Sequence, residues 1–362
     1  MAATDTLTSS PTTGTAASTF SPARAVYTPP ECATYAKLAI DEAGKHSHRL
    51  VPLDIPEIGD YYGPTMAGQV TAIIAQTSNY KSGFMHMWED LLAQRLQRDG
   101  REDECVVHIS VEECIEEITN MSLAREAGED AAALTRGQVR DRHRLDAALM
   151  YIGKIPIYRI GDSLSRPDGY PELSLSEMFE SVRYLQDEVL GRPLKIAAIF
   201  ADYLQAFAID AANQRWEGAT QRRLQVRSDV RNLRRMAKTF ACPVIVGVQA
   251  KHKLDGAPSP SFQMPSHKDG EESSGIAQVC DRIIQLWMPK MTHPLGSDLQ
   301  HDGYTFRVDE NLIFIKVGKQ RGNLPSGRTW KCRIDFQHNR IAPEANEQEE
   351  YLRRGGARNY ID

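Results

Sequence analysis

The chain has 362 residues, of which 41% are hydrophobic and 25% charged, an ordinary globular composition. That length suits one large domain or two small ones with a sizeable buried core. A net charge of −5 excludes a protein that coats nucleic acid through overall basicity, while leaving room for a local basic channel.

Residues 1–30 are rich in Pro, Thr, Ser and Ala, which predicts a disordered tail. "PECATYAKLAIDEAGK" spaces its apolar residues as one short helix within a segment 31–49. From "LVPLDIPEIGDYYG" onward, apolar strands alternate with amphipathic helices through residues 50–345, and 346–362 form a second tail. The strand candidates are "VTAIIA", "CVVHIS", "IPIYRI", "IAAIFA", "PVIVGVQ", "RIIQLWM", "LIFIKVG" and "WKCRIDF". Helical stretches such as "FMHMWEDLLAQRLQ", "LSEMFESVRYLQDEVL" and "VRSDVRNLRRMAKTF" lie between them. Near-continuous apolar strands separated by helices predict an α/β fold with a mostly parallel, doubly wound sheet. The segments "KHKLDGAPSPSFQMPSHKDGEESSG" and "PKMTHPLGSDLQHDG" read as long surface loops. Six cysteines without a C-x-x-C pair read as reduced thiols in a cytosol-like compartment. No apolar run approaches the roughly 20 residues that cross a bilayer, so a cytoplasmic location is expected.

Sheets of this kind bind ligands at the carboxyl ends of their strands. "AQTSNYKSG" follows the first strand, and Lys81-Ser82 close it as a phosphate-binding loop closes. In such loops backbone N–H groups cradle phosphate, the lysine reaches its outer oxygens, and the hydroxyl ligates Mg²⁺. Ala75 and Tyr80 stand where that loop has glycine. Tyrosine is expected to fit there with helical dihedrals and its ring turned outward, beside the nucleotide or against an adjoining subunit. A lysine and a serine opening a helix are otherwise only a helix start.

After "CVVHIS", Glu112 and Glu113 leave the second strand, where a carboxylate can take a proton from an attacking water. A solvated acidic helix start is the plainer alternative, since Glu116 and Glu117 follow. "KIAAIFADYLQ" ends a buried strand on Asp202, an acid suited to ordering Mg²⁺. Gln249 ends "PVIVGVQ", where an amide can sense a γ-phosphate. Lys319 and Arg321, two apart in "GKQRG", point the same way along a strand. They serve either as a solvated, charge-protected edge or as a lysine and an arginine finger reaching into a neighbour's nucleotide.

The succession strand-KS, strand-E, strand-DYLQ, strand-Q, strand-KQR resembles a RecA-like P-loop ATPase core. More narrowly, it is similar to the helicase domain of DnaB-type hexameric replicative helicases, over roughly residues 50–345. "DYLQ", "ESSGIAQVCDRIIQLW", "GKQRG", "LDIPEIGDYYGPTMAGQV" and "HISVEECIEEIT" carry the resemblance. It implies a parallel sheet with a C-terminal antiparallel extension, ATP with Mg²⁺ as cofactors, and a homohexameric ring on single-stranded DNA in replication. A primase or helicase loader is an implied partner, and a mobile replicon such as a phage an implied source. By position, Ser78, Asn79, Tyr80, Lys81 and Ser82 would bind nucleotide, with Ser82 and Asp202 on the metal. Glu112 would activate water, Gln249 would sense the γ-phosphate, and Lys319 and Arg321 would act in trans. The DNA loops would offer Arg215, Arg222, Arg223, Lys251 and Lys253 to a phosphate backbone.

The sequence departs from the family in three ways. Only the low-complexity stretch and the "CATYAKLAIDEAGK" helix, a possible linker to a neighbouring subunit, precede the core, where the family has a collar domain. Glu271 stands where arginine is usual, and Tyr80 replaces glycine. An alternative function is a RecA-fold assembly protein or scaffold with weak or no ATPase because of Tyr80. A filament-forming recombination ATPase is a third reading, which the "GKQRG" strand disfavours.

Overall fold

The computed structural model of the chain describes residues 28–45, 50–165, 174–187, 194–202, 204, 219–250, 264–265, 274–322 and 324–344. Two compact units are present, 1–49 and 50–362. The first unit contains helix α1 (Pro29–Lys45). Its start is fixed by Glu31, whose carboxylate accepts hydrogen bonds of 2.7 Å from both the backbone N–H and the hydroxyl of Thr28. The two predicted tails lie outside the described residues.

The second unit begins with α2 (Ile58–Tyr62), β1 (Val70–Ala75), α3 (Lys81–Arg98) and β2 (Glu104–Ser110). Helices α4 (Ile115–Ala127), α5 (Ala131–Thr135) and α6 (Arg142–Ile152) lead to β3 (Ile157–Ile160). Next come α7 (Leu175–Asp187), β4 (Lys195–Asp202), α8 (Ala219–Thr239), β5 (Val244–Gln249), α9 (Ser274–Val279) and β6 (Arg282–Trp287). Strands β7 (Asp298–His301), β8 (Tyr304–Arg307), β9 (Leu312–Gln320), β10 (Thr329–Asp335) and β11 (Arg340–Pro343) complete it.

Among the described residues the main sheet has nine strands in the order β11-β10-β9-β6-β1-β5-β4-β2-β3. From β6 to β3 every pairing is parallel, and from β6 to β11 every pairing is antiparallel. Alternation along β1 shows why both faces are covered. Val70, Ala72 and Ile74 join one core with residues of α7 and α8, including Met178, Val182, Val230 and Leu233. Ile73 and Ala75 face the other core, with Phe84, Met85 and Trp88 of α3 and with Ile313 and Trp330 across the antiparallel strands.

The predicted strands all appear, with ends shifted by a residue or two. The surface loop expected at 289–303 proves partly ordered: β7 and β8 pair as a hairpin around Asp302-Gly303. Both turn residues have positive φ, 45° and 83°, the geometry of the primed two-residue turn that Asp-Gly favours.

A buried arginine anchors the lead-in to β1. Arg282 stacks on the Tyr62 ring at 4.6 Å and donates to the carbonyls of Tyr62, Gly63 and Pro64 at 2.8–3.0 Å. Arg282→Ala is expected to lower the unfolding free energy by on the order of 2 kcal/mol, since one buried and two partly buried carbonyls lose a charged donor. Urea unfolding checks it, and an unchanged midpoint refutes it.

Candidate active site

The register gathers the predicted residues at one end of the sheet. Ala75 pairs with Gln249 across β1 and β5, and Ser110 pairs with Asp202 across β2 and β4. The carboxyl ends of four parallel strands therefore open on the same crevice, which the loop from β1 to α3 overhangs. Lys81, the first residue of α3, forms an ion pair with Asp202 Oδ1, and Ser82 Oγ donates to Asp202 Oδ2. Burial alone pushes the Asp202 carboxyl up, but the Lys81 ammonium and the two hydrogen bonds outweigh it and hold it below the usual range. Gly247 on β5 makes room for this pair: a Cβ there would collide with Asp202 Oδ1 and come within 3.1 Å of Lys81 Nζ. Gln249 Nε2 donates to Thr77 Oγ1 at 2.5 Å, tying the end of β5 to the loop.

The loop turns left-handed twice, at Ser78 (φ 63°) and Tyr80 (φ 64°). Against the expectation from the sequence, Tyr80 is thus not helical: it caps α3 in the conformation that glycine adopts without strain. Its ring packs against the core on the α3 side of the sheet. It folds over Gly83, where a Cβ would meet ring atoms at 2.5–2.8 Å. It meets Phe336 edge-on with centroids 5.5 Å apart, and its hydroxyl donates to Asn339 Oδ1 in the β10–β11 turn. Asn79 fixes the loop from the other side, accepting from the Met288 N–H at 2.7 Å and donating to the Thr77 carbonyl. The Tyr80 ring leaves toward β10 and β11, whereas Lys81 leaves toward β5 and β4.

Lys319 and Arg321 sit at the opposite end of the sheet. β9 runs antiparallel to β6, so Lys319 pairs with Ile283, and Ile283 in turn pairs with Ala72 near the amino end of β1. Lys319 Nζ donates to the Cys280 carbonyl at 2.8 Å, and burial followed by the nearby Arg321 charge lowers its pKa. Arg321 donates to Asp281 Oδ1 at 3.2 Å and to the Gln278 carbonyl, while Arg234 reaches the same Asp281 oxygen. Both cations therefore face the α9–β6 turn, at the far end of β1 from the β1–α3 loop. They do not reach the Lys81 site of their own chain.

Comparison with known proteins identifies the family and the fold. The model of the DnaB-like helicase C terminal domain matches residues 56–342. The chain belongs to the DnaB-like helicase C-terminal domain family. A structure of a DnaB-like replicative helicase, solved for its interactions with primase, superposes with a TM-score of 0.62 at 18% identity. The match covers 81% of this chain and 63% of that one, so the chain spans less than two thirds of that helicase's length. A second solved structure, an isolated ATPase domain, superposes with a TM-score of 0.66 at 17% identity, covering 86% of this chain and 98% of that one. These superpositions establish a RecA-like helicase ATPase fold. No curated protein matches the sequence.

Within this DnaB-like domain the two candidate carboxylates differ. Glu112 is exposed just past the end of β2. Glu113, singled out by no motif, is half-buried, and its Oε2 lies 3.7 Å from His86 Nε2. Burial, then the Asp202 charge, pushes its carboxyl up to about 7. The folded chain thus holds this proton more tightly than the unfolded chain. The stability tied to it is complete below the ordinary carboxylate range and is lost as pH rises toward 7. In chelator-treated protein, Glu113→Gln is expected to flatten that part of a stability–pH curve recorded from pH 5 to 8, and superimposable curves would refute it.

Of the predicted DNA contacts, Arg215, Lys251 and Lys253 lie outside the described residues, as does Glu271. Arg222 and Arg223 fall in α8, and their side chains lie outside the described set. Gly247, Thr77 and Asn339 were missed by sequence reasoning, because each acts through a partner distant in sequence. No helix among the described residues is long and apolar enough to cross a membrane.

Proposed function

We propose that this chain hydrolyses ATP between subunits of a head-to-tail ring and uses the cycle to move along single-stranded DNA, as a replicative helicase. The observation that carries the reading is the division of the site. The phosphate loop and Asp202 lie at the carboxyl ends of the parallel strands, while Lys319 and Arg321 lie at the other end of the same sheet. A heterologous contact between identical chains brings such opposed halves together, and a ring closes it.

Ser82 Oγ and Asp202 Oδ2 offer the hard oxygen donors that Mg²⁺ takes, so the residues present fit the ion. Bound with ATP, Mg²⁺ neutralises charge developing on the phosphates. Lys81 leaves Asp202 to meet the outer phosphates, with Ser78, Asn79 and Tyr80 supplying backbone around them. Glu112, exposed at the strand end, orients and deprotonates the attacking water, and Gln249 senses the γ-phosphate from β5. Lys319 and Arg321 of a neighbouring subunit stabilise the transferring phosphoryl group. Arg222 and Arg223 with Arg215, Lys251 and Lys253 track the DNA backbone, and a primase or a loader is the partner in keeping with the helicase named above.

The test measures ATP turnover with and without single-stranded DNA, strand displacement on a fork, and particle shape with a non-hydrolysable analogue. DNA-stimulated turnover with closed rings is expected. Absence of nucleotide binding by calorimetry at millimolar ATP with Mg²⁺ overturns the enzyme reading. Nucleotide-dependent oligomers without displacement support the scaffold instead.

A further inference from the structure

One turn below the phosphate loop lies a polar cluster that ATP chemistry does not use. His86 and Glu89, three apart on α3, share the helix face that looks onto β2. His108, in the middle of β2, meets them there, and all three side chains are 0% exposed. His108 Nδ1 and Glu89 Oε2 are hydrogen-bonded at 2.6 Å, and the two imidazole rings meet edge-on with centroids 5.0 Å apart. One donor atom from each residue lies within 4.8 Å of the other two.

The cluster is under-satisfied by its own protein. Among the described residues, both ring nitrogens of His86, Nε2 of His108 and Oε1 of Glu89 have no hydrogen-bond partner. The Arg159 guanidinium stands 3.9 Å from Glu89 Oε1, beyond hydrogen-bond reach. Orphaned buried polar atoms are rare and cost about 1–3 kcal/mol each, so four in one cluster demand an explanation. Two imidazoles and a carboxylate converging on one point are a donor set that a transition-metal ion accepts.

We propose that His86, Glu89 and His108 form a site for a first-row divalent transition-metal ion, with zinc the best fit to two nitrogens and one oxygen. Tetrahedral zinc holds such donors about 3.4 Å apart, so the side chains draw inward by up to about 1.4 Å and the His108–Glu89 hydrogen bond opens. Glu113 Oε2, 3.7 Å from His86 Nε2 and partly exposed, sits where a fourth ligand enters and marks the ion's route in from the crevice. The ion clamps α3, which begins at Lys81, to β2, which leads to Glu112. It is separate from the Mg²⁺ site, since imidazole nitrogen is a poor ligand for Mg²⁺. The proposal stands whether or not the chain hydrolyses ATP.

The test uses tag-free full-length protein stripped with a chelator and titrated with Co²⁺ in millimolar Mg²⁺. A visible d–d band of low-coordinate Co²⁺ is expected, saturating at one ion per chain, bleached by Zn²⁺ and accompanied by a higher Tm. His86→Gln and His108→Gln are each expected to weaken Co²⁺ binding by at least about 100-fold, more than loss of an outer-shell partner typically does. A wild type that yields no such band, or only the faint band of six-coordinate surface binding, overturns the site. So does a full band retained in both variants. If either variant fails to fold, the wild-type titration still decides.

Discussion

Arg321→Ala protein is expected to hydrolyse ATP at least about 10³-fold more slowly than wild type, the usual effect of losing an arginine finger. Lys81→Ala protein is expected to be equally inactive, for the opposite reason: it keeps its finger and loses its phosphate loop. The informative sample is the two co-expressed. In a head-to-tail ring, an interface is complete when an Arg321→Ala chain lends its loop and a Lys81→Ala chain lends its finger. Random assembly from equal amounts makes about one quarter of the interfaces complete, so turnover is expected to recover toward that fraction of wild type. Recovery follows only if the opposed ends of one sheet meet in trans. A mixture no more active than its separate parts would falsify that arrangement, whatever either variant does alone. Folding of the Lys81→Ala chain needs its own check by calorimetry, because the buried Asp202 carboxylate then loses its ion pair and keeps, among the described side chains, the Ser82 hydrogen bond.

The parts of this site legible in the sequence were those written in local runs. "VTAIIA" is β1 residue for residue, because six successive buried positions require a continuous apolar run. Asp202 ends such a run as an acid, and the register sets it beside Ser110 and, through Lys81, against the β1–α3 loop. The β7–β8 hairpin reads as a loop in the sequence because its strands are four residues each, short and half-polar, although Asp302-Gly303 signals the turn. Other features depend on contacts across the chain. The placement of the Tyr80 ring follows from Asn339, 259 residues away. His86 and His108 look like isolated polar residues in apolar segments until α3 packs on β2 and sets their rings together. The elevated carboxyl of Glu113 arises from burial beside Asp202, which no spacing rule reveals.

The loop's missing glycine leads to a reversal of sign. Gly83→Ala in wild type places a methyl against the Tyr80 ring, which Phe336 and Asn339 hold in place. Such overpacking is expected to cost about 2–3 kcal/mol, seen as a lower urea midpoint. In a Tyr80→Gly background the obstacle is gone, and the same change is expected to stabilise by up to about 1 kcal/mol, because alanine is the better helix residue. Tyr80→Gly by itself sheds a left-handed strain of roughly 1–2 kcal/mol but also loses the ring's packing and its hydroxyl bond, so its net effect should be small. A four-member cycle measured by urea unfolding therefore gives Gly83→Ala opposite signs in the two backgrounds. Equal signs would mean that the ring does not lie over Gly83. ATP affinity across the same four proteins separates the readings of the loop. The ring points away from the Lys81–Asp202 pair, so Tyr80→Gly is expected to leave affinity within a few-fold of wild type. A large gain in affinity would instead show that the tyrosine restricts nucleotide, and would move the protein toward the scaffold reading.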